Sequence, residues 1–373
     1  MSSHKGWASY SGLKKVGFES NLAKFEWHVF PSSKMSVVDP CPSGTCSYSG
    51  VNKQAGAISA WSGGAYDTKR DRLMVWGGGH NNYGGNEVYA FDLAAGTWSR
   101  LTEPHPVDAA DRSDGIAGST NTSGYYHDGT PASYHTSNAL TYAANVDSLF
   151  SLSGGSFGGN AVRRFQADSL DLATNAWKTD WTTPPNLGNP RAMAAYDSVN
   201  GSIWYHAAET GARLAELTGL AGGVGTWTLY GPATGVTLYA TPAIDTLRHR
   251  MVSIGGSAGR QMFAWDLNNP AAARTIPVTS GDAGGIALES VGGTGFIYDP
   301  IGDQFIAWDG GATLYRLDPA TWVWSVLANA AGNTVTPTAK SPLGTYGRFR
   351  YVPSAHGLVV VNATNENVYF YKL

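Results

Sequence analysis

Short apolar runs closed by Gly, Asn or Asp recur along this chain about every 50 residues, and this repeat constrains the fold most. The clearest copy lies in Trp61–Leu101. It predicts four strands: Ser62–Asp67, Leu73–Trp76, Glu87–Leu93 and Thr97–Leu101. Runs this short, with turn residues at both ends, are strands of a meander rather than helices. First strands end near Tyr66-Asp67, Tyr142, Tyr196-Asp197, Ile244-Asp245, Tyr298-Asp299 and Tyr351. Second strands read LMVWGGGH, LFSLSGG, SIWYHAA, MVSIGG, QFIAWDGG and LVVVNAT. Third strands read VYAFDL, QADSLDL, MFAWDL and LYRLD, and Trp98, Trp177, Trp227 and Trp324 mark fourth strands. The Asp of each Tyr-Asp pair reads as a turn former.

The 47 glycines sit at strand ends rather than in a low-complexity tract, and aromatic residues are frequent, so the class is all-β. The period, the double Gly after the second strand and the late Trp resemble the kelch repeat. The resemblance implies a β-propeller, in which four-stranded blades that cannot bury both faces alone stack around an axis. The repeat predicts six blades. The last, from Phe349, offers only three strands before the chain ends. Lys24–Phe30, reading KFEWHVF, supplies the missing one, with Trp27 in place of the fourth-strand Trp. Closure of this kind removes two exposed sheet edges. A seventh blade would need strands from 102–133 or 31–59, and neither has enough. The expected organisation is an extension over 1–23 and a single propeller over 24–373, with an insertion at 102–133.

A net charge of -3 and the lack of a basic cluster argue against nucleic acid as a partner. No apolar run reaches the ~18 residues of a membrane-spanning helix, so no membrane insertion is expected. The start, MSSHKGWASYSGLKK, has no apolar core of a signal peptide. An extracellular or virion-associated location suits the low-charge, polar sequence. Cys41 and Cys46 are the only cysteines and read either as a small disulfide loop or as two thiols. With no neighbouring His pair they make no zinc motif.

In propellers, loops before first strands and after second strands meet at one mouth of the channel. Here those loops carry His80 and Tyr83, Tyr134 and His135, Arg191, His206, Tyr239, Arg260, Trp308, Tyr346 and Arg348. Such a mouth is rich in His, Tyr and Arg and poor in carboxylates. Guanidinium groups pair with carboxylate or sulfate, and His with Tyr can move protons. Each residue also has a plainer reading. His80 could cap the turn after three glycines, His206 could be a core histidine, and Arg191 could bridge blades. His105, His127, His249 and His356 read as solvated loop residues.

By residue type and blade position, this mouth resembles that of propeller-fold polysaccharide lyases such as ulvan lyases. The resemblance implies β-elimination on a uronate-containing acidic polysaccharide. His80 and His135 would be the proton-transfer pair, Arg191 the carboxylate clamp and Tyr239 an acid or base. Tyr83, Tyr134, His206, Arg260, Trp308 and Arg348 would bind substrate. The chemistry needs no metal or other cofactor. Two alternatives stand beside it: a propeller glycoside hydrolase, which needs two facing carboxylates, and a non-catalytic glycan- or protein-binding module. Glu209, Glu289 and Asp309 are the mouth carboxylates available to a hydrolase.

Overall fold

The computed structural model describes residues 22–107, 111, 124–156, 163–184, 191–208, 211–236, 238–257 and 259–373. Six mainly antiparallel sheets stand in a ring, so the protein is an all-β, six-bladed propeller. Blade 1 comprises Gly63–Asp67, Arg72–Trp76, Tyr89–Asp92 and Thr97–Arg100. Blade 2 comprises Leu140–Ala143, Ser148–Ser156, Arg163–Asp171 and Ala176–Lys178, with Tyr134–His135 paired to the far end of its second strand. Blade 3 is Met193–Asp197, Ser202–His206, Leu214–Thr218 and Thr226–Tyr230. Blade 4 is Thr241–Asp245, Arg250–Ile254 and Met262–Asp266. Blade 5 is Gly295–Asp299, Gln304–Trp308, Leu314–Leu317 and Val323–Leu327, and blade 6 is Phe349–Val352, Gly357–Val360 and Tyr369–Lys372. The first strand of each blade touches the first strand of the next, which closes the inner ring.

The Tyr-Asp signature now has a physical cause. Asp67 accepts hydrogen bonds from the backbone N–H of Lys69 and Arg70, and Asp245 does the same for Leu247 and Arg248. Asp197 and Asp299 cap their turns likewise. These are Asx turns, as expected of turn formers. The residue just before each second strand is left-handed: Asp71, Asp147, Gly201, His249, Asp303 and His356 all have positive φ. Asp, His and Gly tolerate that region best. The tyrosine of the signature donates to this turn residue in three blades, Tyr66 to Asp71, Tyr142 to Asp147 and Tyr298 to Asp303. Asp147 and Asp303 also pair with Arg70 and Arg248 of the preceding blades, so each of these turns is also a seam.

The expected closing strand is present. Glu26–Val29 pairs antiparallel with Tyr369–Lys372, in register from Glu26 opposite Lys372 to Val29 opposite Tyr369. Trp27 is buried between blades 5 and 6. Its indole N–H donates to the Ala312 carbonyl at 2.9 Å, and its ring lies against Trp308 and Tyr371. The 31–59 segment then crosses blade 1, where Phe30 meets Phe91 edge-on and the Ser33 carbonyl accepts from Trp98. Cys41 and Cys46 are joined as a disulfide.

Several expectations need correction. Blade 4 has three strands among the described residues, and its outer position is held by Thr275, bridged to Ala264. The third strands of blades 3 and 6, Leu214–Thr218 and Tyr369–Lys372, carry no terminal Asp, so that mark belongs to four blades. His249 is not solvated: it is buried, with Nε2 on Asp197 of blade 3 at 2.7 Å. His356 likewise reaches Asp299 of blade 5. The expected extension over 1–23 lies almost wholly outside the described residues, as does much of the 102–133 insertion.

Near the axis the inner strands need small residues. A Cβ on Gly63 would lie 2.2 Å from the Ser137 carbonyl of blade 2. One on Gly64 would lie 2.9 Å from the Gly347 carbonyl at the start of blade 6. Both obstacles are backbone, which cannot swing aside. Gly63→Ala should therefore lower stability by about 1–3 kcal/mol in denaturant unfolding, whereas Gly222→Ala, with open space around its Cβ and no left-handed φ, should cost less.

Candidate functional site at the channel mouth

The loop after the second strand of blade 1 runs through Gly77–Gly79 and turns sharply, with the Gly79 N–H donating to the Tyr83 carbonyl. His80 stands at that turn with φ of +45°. Its ring stacks on His135 at 4.2 Å. His135 comes from blade 2, where successive side chains point to opposite faces. Tyr134 therefore turns into the space between blades 1 and 2, and His135 turns to the mouth. On its other side His135 meets Trp61 at 4.7 Å. The Ser137 N–H donates to the Trp61 carbonyl, holding the two loops together.

Arg191, at the start of blade 3, places its guanidinium 5.1 Å from the centre of the Tyr239 ring. Tyr239 precedes the inner strand of blade 4, with φ of +71°, and is in turn 6.1 Å from the Tyr346 ring. Trp61 also hydrogen-bonds the Tyr239 hydroxyl. The structure thus brings together the four residues expected to act, His80, His135, Arg191 and Tyr239, with Tyr346 of the expected mouth, and adds Trp61. His135 and Tyr346 form the buried floor, while Trp61, His80, Arg191 and Tyr239 are part-exposed above it.

The lead-in loops form a collar. Gly293 donates its N–H to the Tyr239 carbonyl, and Thr345 donates to Gly293. Asn138 donates to the Ala240 carbonyl from blade 2. Trp61, Ser137, Tyr239, Gly293 and Tyr346 all have positive φ shortly before their inner strands. For Trp and Tyr this region is strained, and such strain persists only where surrounding contacts hold it. It aims the rings across the mouth instead of along the strands.

Electrostatics set the protonation states. Burial, then the charges of His80 and Arg191, lowers the pKa of His135 to about 3. Burial and Arg191 also lower that of His80. Burial raises that of Tyr239, against the opposing pull of Arg191 and the Trp61 hydrogen bond. At neutral pH the mouth therefore holds two neutral imidazoles, a protonated phenol and a guanidinium. His135 Nε2–H donates to Asn82 Oδ1 at 3.2 Å, which leaves Nδ1 as its basic nitrogen.

Six other expected substrate-binding residues lie elsewhere. Tyr83 is buried and donates to Glu87 at 2.5 Å, a carboxyl whose pKa burial pushes up to about 7. Tyr134 is buried against Trp76 and bonded to Ser151. His206 is buried, with Nδ1–H on the Ala207 carbonyl. Trp308 fills the interface of blades 5 and 6 beside Trp27 and Phe349. Arg348 is fully buried and donates to the carbonyls of Ile58, Ser62, Gly344 and Val361. Arg260 is exposed and ion-paired to Glu289 at 2.6 Å. The other five are buried because second-strand ends and lead-in turns pack into the interior before they reach the mouth. Trp61 was missed, although it stands two residues before an inner strand, as Tyr239 does. A comparison with protein-family models finds none that matches this chain, and a search of curated proteins finds no relative.

Arg191→Ala should raise the pKa of His80 towards the ordinary imidazole value of about 6.5, because it removes a positive neighbour. Titration of the His80 ring followed by NMR measures this, and an unchanged midpoint would mean that Arg191 does not act on His80.

Proposed function

We propose that the mouth is the active site of a polysaccharide lyase of the ulvan-lyase-like, propeller type, acting on a uronate-containing acidic polysaccharide by β-elimination. The observation that carries this reading is the convergence of His80, His135, Arg191 and Tyr239 on one cluster from four blades. Arg191 pairs with the uronate carboxylate and stabilises the enolate-like charge that develops there. Neutral His80, the more exposed imidazole, takes the proton α to the carboxylate, and His135 beneath it positions the ring. The electron pair forms the new ring double bond as the glycosidic C–O bond breaks. The Tyr239 phenol gives its proton to the leaving oxygen. Trp61 offers an apolar face for a sugar ring.

The hydrolase alternative finds less support. Glu289 is taken up by Arg260, Thr279 and Trp324, and Asp309 is paired with Lys340 at 2.5 Å. Glu209 lies outside the described residues. The Cys41–Cys46 bond suits an oxidising compartment, in keeping with an extracellular or virion-associated protein.

Ultraviolet absorbance of the unsaturated uronate product, read over a panel of uronate polysaccharides, tests the proposal. His80→Ala should slow its appearance by about 100-fold or more. Without any absorbance rise from folded protein, the reading fails and a binding module takes its place. Lowering the pH should abolish activity by protonating the base. Because His80 titrates below the ordinary imidazole value, the acid limb of the rate profile should fall below about pH 6.5.

A further inference from the structure

Away from the mouth, the insertion brings His105, Asp111 and His127 together. His105 Nε2 lies 2.9 Å from Asp111 Oδ2, and His127 Nδ1 lies 3.2 Å from Asp111 Oδ1. One donor atom from each residue falls within 4.8 Å of the others. We propose that these three residues bind a divalent transition-metal ion, with zinc the best fit, which fastens the insertion to the propeller. The inference stands apart from the lyase reading.

Both ring nitrogens of His105 face carboxylates: Nδ1 lies 2.8 Å from Asp128 Oδ2, and Nε2 lies 2.9 Å from Asp111 Oδ2. His105 and Asp111 are both buried, and His127 closes the cluster from the exposed side.

The surroundings also match a metal centre. An imidazole whose second nitrogen donates to a carboxylate is the usual support of a metal-bound histidine. Asp128 is itself held by the backbone N–H and hydroxyl of Thr130, at 2.8 and 2.6 Å. The His105 ring is stacked on Tyr126 at 4.7 Å, which fixes its plane. Two imidazoles and a carboxylate suit zinc, at bonds of about 2.0–2.2 Å, whereas calcium and magnesium prefer all-oxygen sets.

The consequence is mechanical. The His105 N–H donates to Asn86 at 2.7 Å, and the Tyr126 hydroxyl donates to the Gly84 carbonyl. Gly84 and Asn86 belong to the loop that carries His80. An ion holding positions 105, 111 and 127 together therefore braces that loop from outside. The pattern was hard to see in sequence because 21 residues lie between the two histidines.

The test uses the untagged full chain, stripped with a chelator and then titrated with zinc by calorimetry and thermal unfolding. Zinc should bind once per chain and raise the unfolding temperature of the stripped protein. His127→Gln, at the most exposed of the three positions, should keep the fold and bind more weakly. Asp128→Asn, which touches no ion directly, should weaken binding by about 10–100-fold. If the stripped protein neither takes up zinc nor changes its unfolding temperature, the cluster is a hydrogen-bonded network without an ion, and the proposal is wrong. Uptake that is equal in wild type and both variants would place the ion elsewhere and overturn it as well.

Discussion

The propeller depends on the seam where its last blade meets its first. A ring of sheets has no partner for its final edge unless the chain returns to supply one, and an open edge is a site for unwanted pairing. Here the return is made twice. On the outside, Glu26–Val29 completes blade 6 and drives Trp27 between blades 5 and 6. On the inside, Arg348 and Arg350 reach from blade 6 to the carbonyls of Ser62 and Gly64 in blade 1, and Arg350 reaches on to Leu140 in blade 2. Burial lowers the pKa of both guanidiniums to about 10, so they remain charged. Their charge is spread over carbonyl dipoles instead of a carboxylate, and the contacts to Ser62, Gly64 and Leu140 cross blade boundaries.

The mouth inherits its geometry from that closure. Each lead-in loop must turn sharply into the inner strand of the next blade. A left-handed residue makes that turn, and in three blades the residue is aromatic: Trp61, Tyr239 and Tyr346. In blade 5 the same place is held by Gly293, where a Cβ would come within 2.9 Å of the Tyr346 ring. Backbone hydrogen bonds between neighbouring loops hold the strained turns. A rigid collar of this kind suits a site that must hold an imidazole, a phenol and a guanidinium in fixed relation.

Much of the fold was legible because its signals are local. The Tyr-Asp pairs, the double glycines and the late tryptophans each answer to a turn or a seam within their own blade. The site was only half legible. His80, His135, Arg191 and Tyr239 could be placed near the mouth from blade position. The same rule also selected Tyr83, Tyr134, His206, Trp308 and Arg348, which are buried. Position along a blade says how high a residue sits, not which way it points. One residue separates Tyr134 in a seam from His135 in the mouth. The clustering of His105, Asp111 and His127 was not visible at all, since their spacing follows no short motif.

The sequence by itself determined the all-β class, the six-fold repeat and the strand that closes the ring, because periodicity and turn chemistry are properties of neighbouring residues. Only the tertiary structure decided which polar side chains meet. His80 and His135 stack across a blade boundary, and Arg191 joins Tyr239 across another. Those meetings depend on blade twist, on left-handed turns and on which face each strand turns to its neighbour, and these are settled only when the blades are stacked.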